Sequence, residues 1–292
     1  PGELRAGRTY TVKRTVDGKV TCEACDPLPA GVRVEHLELS EGANIVQWAI
    51  LTSEDTIYVA FRGTYHVLDA VVDLGFLTHD EAPHGLRVHG GMWNVLHQRR
   101  HAVVSAAAER IRALREGRGG LEHVVLCGHS LGGGYAILAA LDMLHRGCEV
   151  DAVTTFGAPQ VVVPDRSVDL WHRLDAITTL VVNSYDVVPR LPSCLPWLFD
   201  AIPKSLLGGT SFGSVTVGCD LVEVLEQKLG RQREVMADYD TVGALAFVGE
   251  GSRFAWKVAS TADLAHREVL GQVPEQVGTF IFEQHLVDSY VS

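Results

Sequence analysis

The stretch Val124-Val125-Leu126-Cys127-Gly128-His129-Ser130-Leu131-Gly132-Gly133-Gly134 decides how this chain folds. Four apolar residues bounded by charge and glycine predict a short buried strand, and Tyr135-Ala136-Ile137-Leu138-Ala139-Ala140-Leu141 predicts a buried helix of good helix formers. Between them the backbone has only a few residues in which to reverse. Gly128 and Gly132 lack the side chains that would collide in so tight a turn. The Ser130 hydroxyl can therefore stand at the strand's carboxyl end with the helix amino terminus, which favours negative charge, behind it.

The pattern Gly-x-Ser-x-Gly recurs at Gly209-Thr210-Ser211-Phe212-Gly213. That copy follows the Pro203 to Gly208 segment and runs into the β-branched Ser214-Val215-Thr216-Val217, so it lacks the strand before and the helix after. Context confirms such a motif, and Ser211 reads as a loop residue while Ser130 reads as the nucleophile.

At 292 residues the chain is long enough to bury one large core, and residues 1–292 read as a single domain. Hydrophobic residues make up 47% and charged ones 21%, ordinary values for a globular protein. The net charge of −11 argues against a nucleic-acid partner and against electrostatic adsorption to anionic lipid, so any membrane contact should be apolar. No uncharged run approaches the roughly 18 to 20 residues of a transmembrane segment, since Asp142 interrupts the most apolar helix. The chain thus reads as soluble or peripheral at a lipid surface. It starts at Pro1 and not at Met, so it reads as a trimmed or mature fragment and its localisation stays open. Six cysteines are too sparse for a disulfide scaffold. Cys22-x-x-Cys25 has neither the second pair nor the histidines that a zinc site needs, and reads as bystander thiols or one local disulfide. No metal is expected.

Thr9 to Val16 and Lys19 to Cys22 flank Asp17-Gly18, a strong hairpin signal, and define an N-terminal β-hairpin extension over residues 1–40. Ile45 to Thr52 and Thr56 to Phe61 read as neighbouring strands joined through Ser53-Glu54-Asp55. Gln98 to Arg115 has the pattern of an amphipathic helix, with Val103, Val104, Ala107, Ile111 and Leu114 on one face. Beyond the Ser130 turn come apolar strands at Ala152 to Phe156 and Ile177 to Asn183. Such alternation predicts an α/β fold with a mostly parallel central sheet and helices on both faces, active residues lying at the strands' carboxyl ends. Residues 196–258 are less regular, with one amphipathic helix near Leu221 to Leu229, and read as an insertion or cap.

A serine hydroxyl is a poor nucleophile without a base in hydrogen-bond reach and a carboxylate to orient that base. On an elbow of this kind the acid and then the histidine follow the serine along the chain. Asp186 terminates the apolar Leu180-Val181-Val182-Asn183-Ser184-Tyr185 and is the best acid, against the alternative of an exposed turn aspartate; Asp165 and Asp200 end no apolar strand. Of the 13 histidines only His266 and His285 follow it. His266 sits in a charged helical pattern. His285 follows the apolar Thr279-Phe280-Ile281-Phe282 and is the better base, against the alternative of a surface histidine. Two backbone amides fit the oxyanion of an attacked carbonyl: Leu131 N–H on the elbow and Thr64 N–H after Phe61-Arg62-Gly63. An ordinary strand-to-loop turn has the same Arg62-Gly63-Thr64 signature.

The ordered set Phe61-Arg62-Gly63-Thr64, Val88-His89-Gly90-Gly91-Met92, Gly128-His129-Ser130-Leu131-Gly132-Gly133, Thr155-Phe156-Gly157-Ala158-Pro159, Asp186-Val187-Val188-Pro189 and His285 with Tyr290 resembles class 3 (fungal-type) lipases. The likeness runs from about Ile45 to Tyr290 and implies an α/β-hydrolase fold. It further implies Ser130, Asp186 and His285 as triad, Thr64 and Leu131 as oxyanion donors, and a lipid ester such as tri- or diacylglycerol as substrate, with no cofactor. Two features depart from the family pattern. The interval from acid to base, 285 − 186 = 99 residues, is long, and the N-terminal hairpin with its cysteine pair has no evident counterpart. After Thr64, Val67, Leu68, Val71, Val72 and Phe76 recur at helical spacing, which looks like the lipase lid; a helix packed permanently on the core has the same pattern. Two other readings share the motifs: a lipase-like interaction protein without catalysis, and an acyltransferase using an alcohol in place of water.

Overall fold

The computed structural model describes residues 10–16, 19–25, 28–39, 46–63, 79–81, 85–98, 102–183, 186, 188–193, 211–212, 215–216, 236, 238–248 and 258–259. Strands β1 (Tyr10–Val16) and β2 (Lys19–Cys25) form the expected hairpin, with Val16 opposite Lys19. The central sheet begins with β3 (Arg33–Glu38), β4 (Trp48–Ser53) and β5 (Thr56–Phe61), antiparallel neighbours. Glu54, at φ 53°, takes the left-handed conformation that the two-residue β4–β5 turn demands.

A short antiparallel ribbon follows, β6 (His79–Glu81) with β7 (Arg87–His89), leading into helix α1 (Gly90–Leu96). Helix α2 (Val103–Gly117) starts five residues later than its hydrophobic pattern suggests. Its amino-terminal neighbour Ala102 makes no side-chain cap, so nothing there holds an earlier first turn. Strand β8 (His123–His129), helix α3 (Leu131–His145), strand β9 (Ala152–Phe156), helix α4 (Asp169–Ile177) and strand β10 (Thr178–Asn183) then alternate. The remaining strands are β11 (Ser211–Phe212), β12 (Val215–Thr216), β13 (Ala244–Val248) and β14 (Val258–Ala259).

The eight-stranded sheet has the order β14-β13-β10-β9-β8-β5-β4-β3, with β5, β8, β9, β10 and β13 mutually parallel. Leu180, Val181, Val182 and Asn183 are buried in succession, so both faces of β10 are covered. Helix α3 is buried from Gly132 to Leu144, wedged among β5, β8, β9 and the other helices. Two departures concern the later chain. Helix α4 was not legible, and the segment 196–258, expected as an insertion, contributes β13 to the sheet between β10 and β14. Met236, Tyr239, Val242 and Leu245 are core residues there. Ser211, read as a loop residue, lies instead on the short strand β11 and pairs with Thr216, so it does not stand between a strand and a helix. The helix expected near Leu221 to Leu229 lies outside the described residues, as do Cys194 and Cys219.

One buried charge ties the helices together. Asp142 of α3 is almost fully buried, and its Oδ2 meets His97 Nε2 at 2.9 Å and accepts from Arg146 Nε at 2.9 Å. Arg146 also donates from Nη1 to Ser105 Oγ of α2 at 3.4 Å. Burial alone would push the Asp142 carboxyl up, but the hydrogen bonds and charges of His97 and Arg146 outweigh it and hold the carboxyl below its ordinary value. A depressed carboxylate stabilises the fold above its unfolded-state pKa of about 4, and that contribution disappears as pH falls through the folded value. Asp142→Asn is therefore expected to lower unfolding free energy by about 2 kcal/mol at pH 7. Urea unfolding at pH 7 and at pH 3 checks it: the difference from the parent should shrink at the lower pH.

Candidate active site

Strand β8 ends at His129 and α3 starts at Leu131, which leaves Ser130 as the single residue between them. Its φ of 57° and ψ of −131° lie where a residue with a Cβ is strained by about 1–3 kcal/mol. The surroundings hold it there. Ser130 N–H donates to Phe156 O at 2.9 Å, tying the elbow to the end of β9, and Ser130 O accepts from Gly133 N–H at 2.9 Å and Gly134 N–H at 3.3 Å. A Cβ on Gly128 would sit 2.4 Å from the carbonyl atoms of Gly132, and a Cβ on Gly132 would sit 2.3 Å from Phe61 O. Both glycines are thus required by contact with backbone, as the strand–turn–helix pattern implies.

The Ser130 side chain is buried in this structure, and its Oγ has no hydrogen-bond partner among the described residues. Leu131 is the first residue of α3, where a backbone N–H has no partner within the helix and stays available to an anion. Gly63 lies against the elbow: a Cβ there would come within 2.5 Å of His129 O and 3.3 Å of Ser130 Cβ. The end of β5 is fixed in turn by Arg62, whose N–H donates to Gln47 O at 2.9 Å and whose Nη1 donates to Gln47 Oε1. Thr64 itself lies outside the described residues, as do His285, His266 and the lid residues Val67, Leu68, Val71 and Val72.

Asp186 follows β10, so it stands at the same edge as Ser130 with β9 between them. Two strand spacings are about 10 Å, a gap that one imidazole with a hydrogen bond of about 2.8 Å at each ring nitrogen, together with the two side chains, bridges. Asp186 is fully buried, which removes the alternative of an exposed turn. Its N–H donates to Asn183 O at 2.8 Å, and its Oδ1 accepts from Val188 N–H at 2.9 Å, so the main chain fixes the carboxylate. A one-turn 3-10 helix (Val188–Arg190) follows.

Two residues of this edge escaped the sequence reading. Arg190 is fully buried and donates from Nη1 to the Asp186 carbonyl. Gln160, also buried, bonds the Asp186 turn through main chain and side chain. The signal for Arg190 was a lone charge in the apolar run from Val187 to Leu195. The His89-Gly90-Gly91 stretch also finds its place: His89 Nδ1 accepts from Met92 N–H at 3.3 Å and caps α1. Met92 and Val161 then pack where Gly134 of α3 leaves no room for a Cβ. Leu191 of the same turn is buried.

A mostly parallel sheet with a strained serine between strand and helix and a buried carboxylate two strands along has the architecture of the α/β-hydrolase fold. Residues 58–195, a stretch that holds both Ser130 and Asp186, match the model of the class 3 lipase family. It is 29% identical over 179 residues to a lipase of Rhizomucor miehei, covering 54% of this chain and 46% of that protein. It is 32% identical over 133 residues to secreted mono- and diacylglycerol lipase 2 of Gibberella zeae, covering 38% and 31% respectively. The chain thus spans less than half the length of these curated relatives. The crystal structure of the mono- and diacylglycerol lipase from Aspergillus oryzae superposes with a TM-score of 0.52 at 16% identity, over 78% of this chain and 68% of that one, and shares the fold. No helix among the described residues is long and apolar enough to cross a membrane.

Proposed function

We propose that this chain is a serine carboxylic ester hydrolase that cleaves acyl esters of glycerolipids, such as tri- or diacylglycerol, through an acyl-enzyme on Ser130. The observation that carries the reading is a buried, strained serine on a glycine-closed elbow, with a buried carboxylate positioned at the same sheet edge. In the first half-reaction Ser130 Oγ bonds to the ester carbonyl carbon while its proton passes to His285. The tetrahedral oxyanion accepts hydrogen bonds from Leu131 N–H and Thr64. The C–O bond to glycerol then breaks and the imidazolium gives its proton to the leaving alcohol. In the second half His285 takes a proton from water as the water oxygen bonds to the acyl carbon; the bond to Ser130 Oγ then breaks, the imidazolium returns its proton to Oγ, and the fatty acid leaves. Asp186 orients the imidazole and stabilises its charge.

The similarity to secreted lipases supports a soluble protein that meets its substrate at a lipid–water interface, with the segment around Val67, Leu68, Val71 and Val72 as a lid. The single-domain reading, with a hairpin extension over residues 1–40 and an insertion over the part of 196–258 that precedes β13, belongs to the same proposal. Purified protein should release free fatty acid from an emulsified long-chain acylglycerol and from a soluble short-chain ester. Val71→Asp with Val72→Asp should cut the first activity about tenfold and spare the second. Absence of fatty acid from both substrates rejects the hydrolase, and equal loss on both rejects the lid.

A further inference from the structure

Arg190 is a cation with no exposed surface, beside a turn that an apolar residue would fill at lower cost. Burying a guanidinium costs several kcal/mol unless its charge and donors are answered. The described residues contain two buried carboxylates, Asp142 and Asp186. Asp142 is bound by His97 and Arg146 on the helices. Asp186 is the one in Arg190's own turn, and Arg190 Nη1 donates to its main-chain carbonyl. The planar fork of donors lets arginine serve such a turn from inside, which the single ammonium of lysine does less completely.

Gln160 grips the same turn from the neighbouring segment. Its N–H donates to Leu191 O at 2.8 Å, and its Oε1 accepts from Ser193 N–H at 3.1 Å. Ser193 Oγ donates to Arg190 O at 3.3 Å and closes the loop. Gln160 lies four residues after Phe156, whose carbonyl holds Ser130 N–H, and Gly157 N–H donates to Val181 O of β10 at 2.9 Å. Main-chain hydrogen bonds linked by short stretches of chain therefore join the serine to the acid.

We propose that Arg190 and Gln160 are positioning residues: they fix the turn that carries Asp186 and, through it, the aim of the acid at the base. This rests on the reading of Asp186 as the acid of the proposed triad. A displaced acid leaves substrate binding intact and slows chemistry, so the effect belongs in kcat.

The test measures kcat and KM on a soluble ester for the parent, Arg190→Met, Arg190→Lys, Gln160→Met and Asp186→Asn, each normalised to its folded fraction by circular dichroism. Arg190→Met should lose about 10- to 100-fold in kcat with KM unchanged, and Arg190→Lys should recover part of it. Gln160→Met keeps the main-chain bond to Leu191 and should fold in any case, with kcat lowered about 3- to 10-fold. Parent-like kcat in Gln160→Met and in folded Arg190→Met, while Asp186→Asn is inactive, overturns the positioning role alone. Parent-like kcat in Asp186→Asn overturns the acid assignment and this inference with it.

Discussion

Ser130→Ala is expected to lower kcat/KM on any ester substrate by about 10⁴-fold or more, and to leave the protein at least as stable as its parent. The two halves of that result have one cause. The Ser130 side chain is buried, and its hydroxyl makes no hydrogen bond among the described residues that alanine would lose. Alanine keeps the Cβ, so the backbone at φ 57° is no more strained than before. A residue whose removal costs the fold nothing and the reaction everything is held there for chemistry. Rates on a soluble ester and thermal unfolding of the same preparations check it. Loss of activity together with a large loss of stability would mean that Ser130 serves the elbow as structure.

Gly132→Ala is expected to destabilise the fold by about 4 kcal/mol. The new Cβ would lie 2.3 Å from Phe61 O, 2.7 Å from Arg62 C and 2.8 Å from Gly63 N. All three are main-chain atoms at the end of β5, held by the Arg62–Gln47 bonds, so they cannot turn aside as a flexible side chain would. Relief requires β5 and α3 to separate, and that separation moves Gly63 away from Ser130. Gly117→Ala, where a Cβ meets nothing within 4 Å, is the matched control and should be neutral. Chemical denaturation of both variants measures the difference. A Gly132→Ala protein of parental stability would show that β5 does not press on the elbow.

Much of this edge was readable because local sterics dictated it. Gly128 and Gly132 mark an approach that no side chain permits, and the contacts at 2.4 Å and 2.3 Å bear that out. Asp17-Gly18 specified a two-residue turn, which the Val16–Lys19 pairing matches. Strand Ala152–Phe156 was legible from its apolar run alone. What escaped depends on partners distant in the chain. Strand Ala244–Val248 is short, shows no alternation, and gains its place from pairing with β10. Helix Asp169–Ile177 begins without a side-chain cap, and its burial of Trp171 and Leu174 is set by packing on α3. Arg190 was not singled out because its burial depends on the turn it closes and on Gln160, thirty residues earlier, which holds that turn. Asp186 was named on its position after an apolar strand, and its complete burial adds what the sequence left open.

Covalent labelling with a fluorophosphonate, located by peptide mass spectrometry, tests the nucleophile most directly. One adduct per chain on the peptide containing Ser130, abolished in His285→Ala, is the predicted result. An adduct on Ser211, or an unlabelled chain that still hydrolyses esters, would contradict it.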